Sequence, residues 1–249
     1  KWSEVIPLCE ELLAVPSYAL ADRSVYAESV QSYGERLQEV IIRDRTTGDD
    51  DVKTLYDETF QKYLNTRPVN TTLLKLFGSE PQKDVRWSIM CDAKRVNRKT
   101  VTARVRGSEL HLMLAESYAH PGAQQDEAKA LSLLNELRRK RIEDVADYTL
   151  RTLPGPDPEA LITADAEGKP LTPLISAILD ERRKELYMEG DRWFELKRNG
   201  RPEWWVIQQS GSTLPVKYVV RQYLYTMPVS VRDIRNSQGK IAQNPGYEF

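Results

Sequence analysis

The chain has 249 residues, which at about 150 residues per domain allows one domain or two. Its 36 Lys and Arg against 37 Asp and Glu leave a formal charge of −1, without the basic surplus that a general nucleic-acid binder needs to displace counterions from phosphates. At 40% hydrophobic it can bury a core, no run of about 18 apolar residues offers a transmembrane helix, and two cysteines make neither a disulfide scaffold nor a four-cysteine zinc site.

Residues 1–15 read as an amphipathic helix, with Ser3 as N-cap and Val5, Ile6, Leu8, Cys9, Leu12 and Leu13 at helical spacing. Pro7 lies near its start, where a missing N–H costs least, and Pro16 stops it. Cys9 reads as a core or helix-face thiol. Leu8 before it is too large for a lipoprotein cleavage site, and no basic segment precedes it. The chain starts at Lys1 with no signal peptide, so either the protein is cytoplasmic or this is a piece of a longer chain.

Residues 16–105 show little sustained period. Glu39 to Arg43 alternates as a short strand, Gly48 to Asp51 reads as a solvated loop, and Leu73, Leu74, Leu76 and Phe77 suggest one short helix. Trp87 follows Asp84 and Arg86 in this irregular middle. Such stretches are usually functional or held by other parts of a fold.

From Gly107 the pattern becomes helical. Leu110, Met113, Leu114 and Tyr118 mark one buried stripe, and His120, Pro121 and Gly122 break it. A second helix runs from about Gln124 to Arg141, with Ala130, Leu131, Leu133, Leu134 and Leu137 inward. Two helices and a tight turn match one tetratricopeptide unit. One unit cannot bury its own apolar face, and about three or more normally stack. That shortage of helices favours a longer chain.

Residues 143–171, rich in Pro and Gly, read as a loop. Thr172 then caps a helix with Pro173 in its first position and Leu174, Ile175, Ile178, Leu179 and Leu186 inward. Asp180 faces Arg183 and Lys184 along it. Gly190 is placed to end this helix in a left-handed cap, and Asp191 to cap the next, which Asn199, Gly200 and Pro202 stop. Near the end, Asn244, Pro245 and Gly246 make a turn with Pro second and Gly third.

Three segments carry a resemblance. The run ERRKELYMEGDRWFELKRNG (Glu181 to Gly200) resembles the signature of the SusD/RagB family. RGSELHLMLAESYAHPGAQQDEAKALSLLNELRRKR (Arg106 to Arg141) resembles its last tetratricopeptide hairpin, and YTMPVSVRDIRNSQGKIAQNPGY (Tyr225 to Tyr247) its closing segment. PVNTTLLKLFGSEPQKDVRWSI (Pro68 to Ile89) fits less specifically. The resemblance implies a mainly α fold of tetratricopeptide-like hairpins with long irregular loops and few short strands. The chain would be the C-terminal part of a single domain. Residues 1–15 would be a helix of an earlier repeat, 16–105 the loop-rich region, 106–142 the hairpin and 143–249 the C-terminal segment. It also implies a lipid-anchored protein on the outer face of the outer membrane of Bacteroidetes-type bacteria, with anchor and signal peptide outside this chain. Its partners would be a SusC-like TonB-dependent transporter and an oligosaccharide or peptide ligand, with no cofactor or metal.

Within the signature, Glu181, Arg182, Arg183, Glu185, Leu186, Glu189, Gly190, Arg192, Trp193 and Phe194 read as structural. Glu and Arg at helical spacing would pair to fix two helices, while Trp193 and Phe194 fill the corner. Catalysis has little material. There are two histidines, His120 in a turn and His111 on a Leu-rich helix, and neither a Gly-Xaa-Ser-Xaa-Gly elbow nor a His-Glu-Xaa-Xaa-His motif is present. The expectation is a binding protein rather than an enzyme. The run Arg138, Arg139, Lys140, Arg141 sits in a last helical turn, where cations offset the macrodipole. Asp49, Asp50 and Asp51 lack the alternate spacing of a calcium loop. Sugar binders offer flat aromatic faces, and for that role the candidates are Trp87, Trp204 and Trp205. Trp204 and Trp205 are adjacent just past a helix end, so at most one is free.

Overall fold

The computed structural model describes residues 1–26, 38–43, 68–99, 104–208 and 214–247. The expected loop at 48–51 lies outside the described residues. The chain forms two compact units: Lys1–Pro158 with Leu171–Arg192, and Glu159–Pro170 with Trp193–Phe249.

The first unit is built on α1 (Trp2–Leu13), α4 (Gly107–Ala119), α5 (Glu127–Arg141) and α6 (Pro173–Glu185), with the short helices α2 (Thr71–Leu74) and α3 (Val85–Met90) between them. Helix α4 packs against α1, α5 and α6. It is enclosed on most sides, so its burial is not a stripe. Leu112 and Ala115 are fully buried, while Met113, expected to face inward, is only half-buried. Helix α5 begins three residues later than the sequence suggests, because Asp126 Oδ1 caps it by accepting from Lys129 N at 3.0 Å. Thr172 caps α6 as expected, accepting from Ile175 N at 3.2 Å, with Pro173 in the first turn.

Several expectations need correction. Helix α1 starts at Trp2, so Ser3 lies inside it, and Pro7 sits in its second turn with no N–H to return to the Ser3 carbonyl. Helix α6 ends at Glu185 rather than at Gly190. Met188 (φ 63°) and Gly190 (φ 84°) carry the chain through a turn into α7 (Asp191–Arg198). Asp191 is the first residue of α7 rather than its cap, because its carboxylate is taken by Arg182. Trp87 lies in α3, a helix too short to show a period but capped by Asp84, whose Oδ1 accepts from Arg86 N at 3.0 Å.

The alternating run at 39–43 is indeed a strand, β1 (Val40–Arg43), paired antiparallel with β2 (Arg104–Arg106) and bulged between Val40 and Ile42. Gly107, next to β2, donates to the Glu39 carbonyl at 2.7 Å. A Cβ there would stand 1.8 Å from the Tyr18 carbonyl oxygen, so only glycine lets the two backbones approach.

The second unit contains a hairpin of β3 (Trp204–Gln208) and β4 (Val216–Val220), paired from Trp204↔Val220 to Gln208↔Val216, and the short helix α8 (Val231–Asn236). Trp204 and Trp205 follow the end of α7, as expected, and the segment that carries them is a strand. The predicted closing turn is present. Tyr247 N donates to Asn244 O at 3.4 Å and Gly246 has φ 90°. A side chain at Gly246 would strike the Tyr223 ring, 2.4 Å from where its Cβ would lie.

Candidate functional site

The signature run places Glu181 and Glu185 four residues apart on one face of α6, with Glu189 in the following turn, and all three are buried. Their partners come from elsewhere in the chain. Glu185 Oε1 accepts from Arg106 Nη1 at 3.2 Å and Arg141 Nη2 at 3.1 Å. Its Oε2 accepts from Arg141 Nε at 3.1 Å and Arg86 Nη1 at 3.3 Å. Arg106 holds both Glu189 oxygens, and Lys99 Nζ adds a third bond at 2.6 Å. Glu39 accepts from Arg106 at 2.9 Å and Arg141 at 2.7 Å. Arg86 also grips Asp84 and pairs with Glu181 at 2.8 Å. The Tyr26 ring lies 3.9 Å below the Arg141 guanidinium.

Burial alone would raise these carboxyls. For Glu185 the guanidiniums of Arg141, Arg106 and Arg86 win and hold it well below the usual range. Against the same burial, Lys184 and Arg86 bring Glu181 down to about 2, and Arg106 and Lys99 lower Glu189. Glu185 and Glu189 are thus held ionised, with both oxygens of each hydrogen-bonded to buried cations, an arrangement that suits a structural tie better than proton transfer.

A second clamp joins α6 to the start of α7. Arg182 donates to Asp191 through Nε at 3.0 Å and Nη2 at 2.5 Å, and to Glu109 at 3.2 Å. Arg183 bonds Thr72 at 2.7 Å, Leu186 is buried, and Arg192 is half-buried. The expected pairing within the signature is thus mostly pairing across the fold. Trp193 and Phe194 do not fill a corner either: Phe194 is 65% exposed, and Trp193, 39% exposed, stacks on Tyr225 at 4.6 Å.

The basic run at 138–141 does sit in the last turn of α5, and its four cations divide between the interior and the surface. Arg138 and Arg141, three apart, turn inward, Arg138 to Ala146 O and the Tyr148 ring, Arg141 to the cluster. Arg139 and Lys140 face Asp147 and Asp22 at the surface. His111 is packed. Its Nε2 lies 2.8 Å from Leu133 O, and because a carbonyl only accepts, that nitrogen carries the proton. His120 is buried against the Trp2 ring at 4.0 Å, and Cys9 is buried, which pushes its thiol up.

The three candidate aromatics divide. Trp87 lies in the first unit, half-buried and edge-on to Phe77 at 5.4 Å, within a cluster of Val69, Leu73, Met90 and Cys91. Trp204 and Trp205 share β3 in the second unit and point to opposite faces. Trp204 is half-buried, its Nε1 donating to Tyr225 OH at 3.1 Å, and that hydroxyl donates to Pro202 O at 2.9 Å. Trp205 is 55% exposed, with Lys217 Nζ 4.8 Å from its ring centroid. Val206, Ile207 and Tyr218 beside it are also exposed.

Sequence reasoning missed two clefts of the first unit. One, about 330 Å³, is lined by Glu10, Ala19, His111 and Glu136. The other, about 420 Å³, lies between α6 and the loop after α5. Among the described residues no group of three or more His, Cys, Asp or Glu is placed to hold a metal, and no helix is long and apolar enough to cross a membrane.

A helix-rich chain with a tetratricopeptide-like hairpin, buried ion pairs and few short strands is the class that this architecture defines. A family model described as the SusD family matches residues 35–247, and the chain belongs to that family. No curated protein gives a match. The chain is similar in structure to a SusD superfamily protein from Bacteroides vulgatus (TM-score 0.63, 21% identity), covering 100% of this chain and 56% of the other. It is also similar to a SusD-like protein from Bacteroides fragilis (0.60, 15%; 99% and 62%). A third likeness is to a SusD-like carbohydrate binding protein from Bacteroides vulgatus (0.52, 18%; 88% and 48%). The chain thus spans 48–62% of the length of these structures.

Proposed function

We propose that this chain belongs to a cell-surface receptor that captures a nutrient, a glycan in the first instance, and passes it to a SusC-like TonB-dependent outer-membrane transporter. The receptor binds its substrate without transforming it and is held at the outer face of the outer membrane by a lipid anchor. Trp205 carries the reading. Its ring is mostly exposed on a strand whose neighbour Trp204 is anchored by hydrogen bonds, so a flat apolar surface is offered at small entropic cost. Family membership and the carbohydrate-binding relative support it.

Calorimetric titration with host, plant and microbial glycans and with mixed peptides tests the reading. Saturable binding to glycans, lost in a folded Trp205→Ala variant, is the expected result. Binding to peptides alone would make it a RagB-like peptide receptor. A second reading is a docking scaffold with no small ligand, favoured by the exposed Val206, Ile207 and Tyr218 on the same hairpin. Silence across the whole panel from folded protein would select it.

A further inference from the structure

The 420 Å³ cleft of the first unit borders the ion cluster, whose Glu181 lines it, and adds groups that the cluster does not use. Helix α6 contributes Asp180 and Lys184 to it, the loop after α5 contributes Tyr148, Gly155 and Asp157, and the turn after α2 contributes Lys75. The volume is that of a small-molecule site. Asp180 is half-buried and accepts no hydrogen bond from any described residue. The two cations that act on it are engaged elsewhere. Lys184 Nζ donates to Glu181 Oε1 at 2.6 Å, and Arg183 Nη2 to Thr72 Oγ1 at 2.7 Å. Tyr148 is a fixed wall, its ring held 3.4 Å from the Arg138 guanidinium. Gly155 leaves the rim bare, with nothing within 4 Å of where a Cβ would stand.

We propose that this cleft binds the ammonium group of a small hydrophilic ligand, with Asp180 as its counter-ion and Tyr148 as the wall beside it. The inference goes beyond the Trp205 reading: it gives the first unit a site of its own, for a ligand that carries a primary amine, as an amino sugar or a short peptide does. An ammonium fits better than a neutral hydroxyl because of the charge balance. Burial pushes the Asp180 carboxyl up to about 6, with Glu181 and Asp157 adding to the rise and Lys184 and Arg183 opposing it. A hydroxyl would leave that unfavourable negative charge in place, whereas a cation cancels it. Binding needs the ionised carboxylate, so affinity rises between pH 5 and pH 7.

The test is calorimetry on the 249-residue chain with a glucosamine trimer, a lysine-bearing tripeptide and maltotriose as the neutral control. Two variants accompany it. Asp180→Asn keeps the shape and removes the charge. Gly155→Trp fills the rim at a position outside the left-handed region, and unchanged melting temperatures show that both are folded. The expected result is saturable binding of an amine probe, weakened about tenfold or more by either variant, with a pH 5–7 rise that Asp180→Asn abolishes. The arm that binds tells an amino sugar from a peptide amine. Amine binding that survives both variants, or maltotriose held as tightly as the amines, overturns the inference and leaves the receptor reading standing. Silence from every glycan and peptide in the wider panel overturns both.

Discussion

Arg106 grips Glu189 with two parallel bonds, Nε to Oε2 at 2.8 Å and Nη2 to Oε1 at 3.0 Å, across 83 positions of sequence. Arg106 ends β2, and Glu189 lies in the turn after α6. The same guanidinium reaches Glu39 beside β1 and Glu185 at the end of α6. One buried side chain thus ties the strand pair β1–β2 to the end of α6 and the turn that follows it.

Removing one member of this cluster leaves buried charges uncompensated. Glu185 faces three arginines and is fully buried, so Glu185→Ala is expected to cost about 3–5 kcal/mol of unfolding free energy. Asp147→Ala breaks the pair with Arg139, whose side chains are about half exposed, and is expected to cost less than about 1 kcal/mol. Urea denaturation of both variants measures the contrast, and equal losses would deny the cluster its structural role.

The cluster also predicts how the fold responds to acid. Glu181 sits at about 2 in the folded chain, and Glu185 and Glu189 are also lowered, against about 4.3 for an unfolded glutamate. The unfolded chain therefore binds protons first. Stability from these groups is complete above about pH 5.5 and is lost progressively as pH falls through the unfolded value towards 2. Urea midpoints at pH 7, 5.5 and 3 should hold between the first two far better than between the last two. A midpoint flat down to pH 3 would contradict the pairing.

Much of the helical body is legible in the sequence, because its signals are local. The Leu-rich period of α4 and α5, the break at His120 to Gly122, and Thr172 with Pro173 each act within a turn or two of themselves. The ion cluster is not legible in that way. Its partners at 39, 86, 99, 106 and 141 are far apart, and nothing local says that Arg141 goes inward while Arg139 stays out. Hairpin β3–β4 is not legible either, because Trp204 to Ile207 is an unbroken apolar run without alternation. The Asp180 cleft gave only a weak hint, the pairing of Asp180 with Lys184. Its opposite wall is a Pro/Gly loop whose course no pattern predicts.

Gly107 marks where the start of α4 and the backbone at Tyr18 touch. An added Cβ would lie 1.8 Å from the Tyr18 carbonyl oxygen, and backbone cannot swing aside as a side-chain tip can. Gly107→Ala should therefore destabilise by at least about 1–3 kcal/mol, although alanine is the better helix former at the start of α4. Gly155→Ala, where the Cβ meets nothing within 4 Å, should leave the melting temperature nearly unchanged. If the two alanine variants melt together, the close approach is not what holds glycine at 107.

Trp204 and Trp205 are neighbours with opposite duties, and stability separates them without any ligand. Trp204 is half-buried, and its indole N–H feeds the Tyr225 hydroxyl, which is itself bonded to the Pro202 carbonyl. Trp204→Ala removes the apolar contact and leaves Tyr225, 1% exposed, short of a donor, so a loss of about 3 kcal/mol or more is expected. Trp204→Phe keeps most of the contact and should lose about 1 kcal/mol, the share of the hydrogen bond. Trp205 projects from the other face with 55% of its surface in water, and removing it uncovers little. Trp205→Ala should change stability by no more than about 0.5 kcal/mol. Thermal unfolding of the three variants decides the assignment. If Trp205→Ala unfolds the chain as readily as Trp204→Ala does, its ring is a packing element and is not available to any ligand.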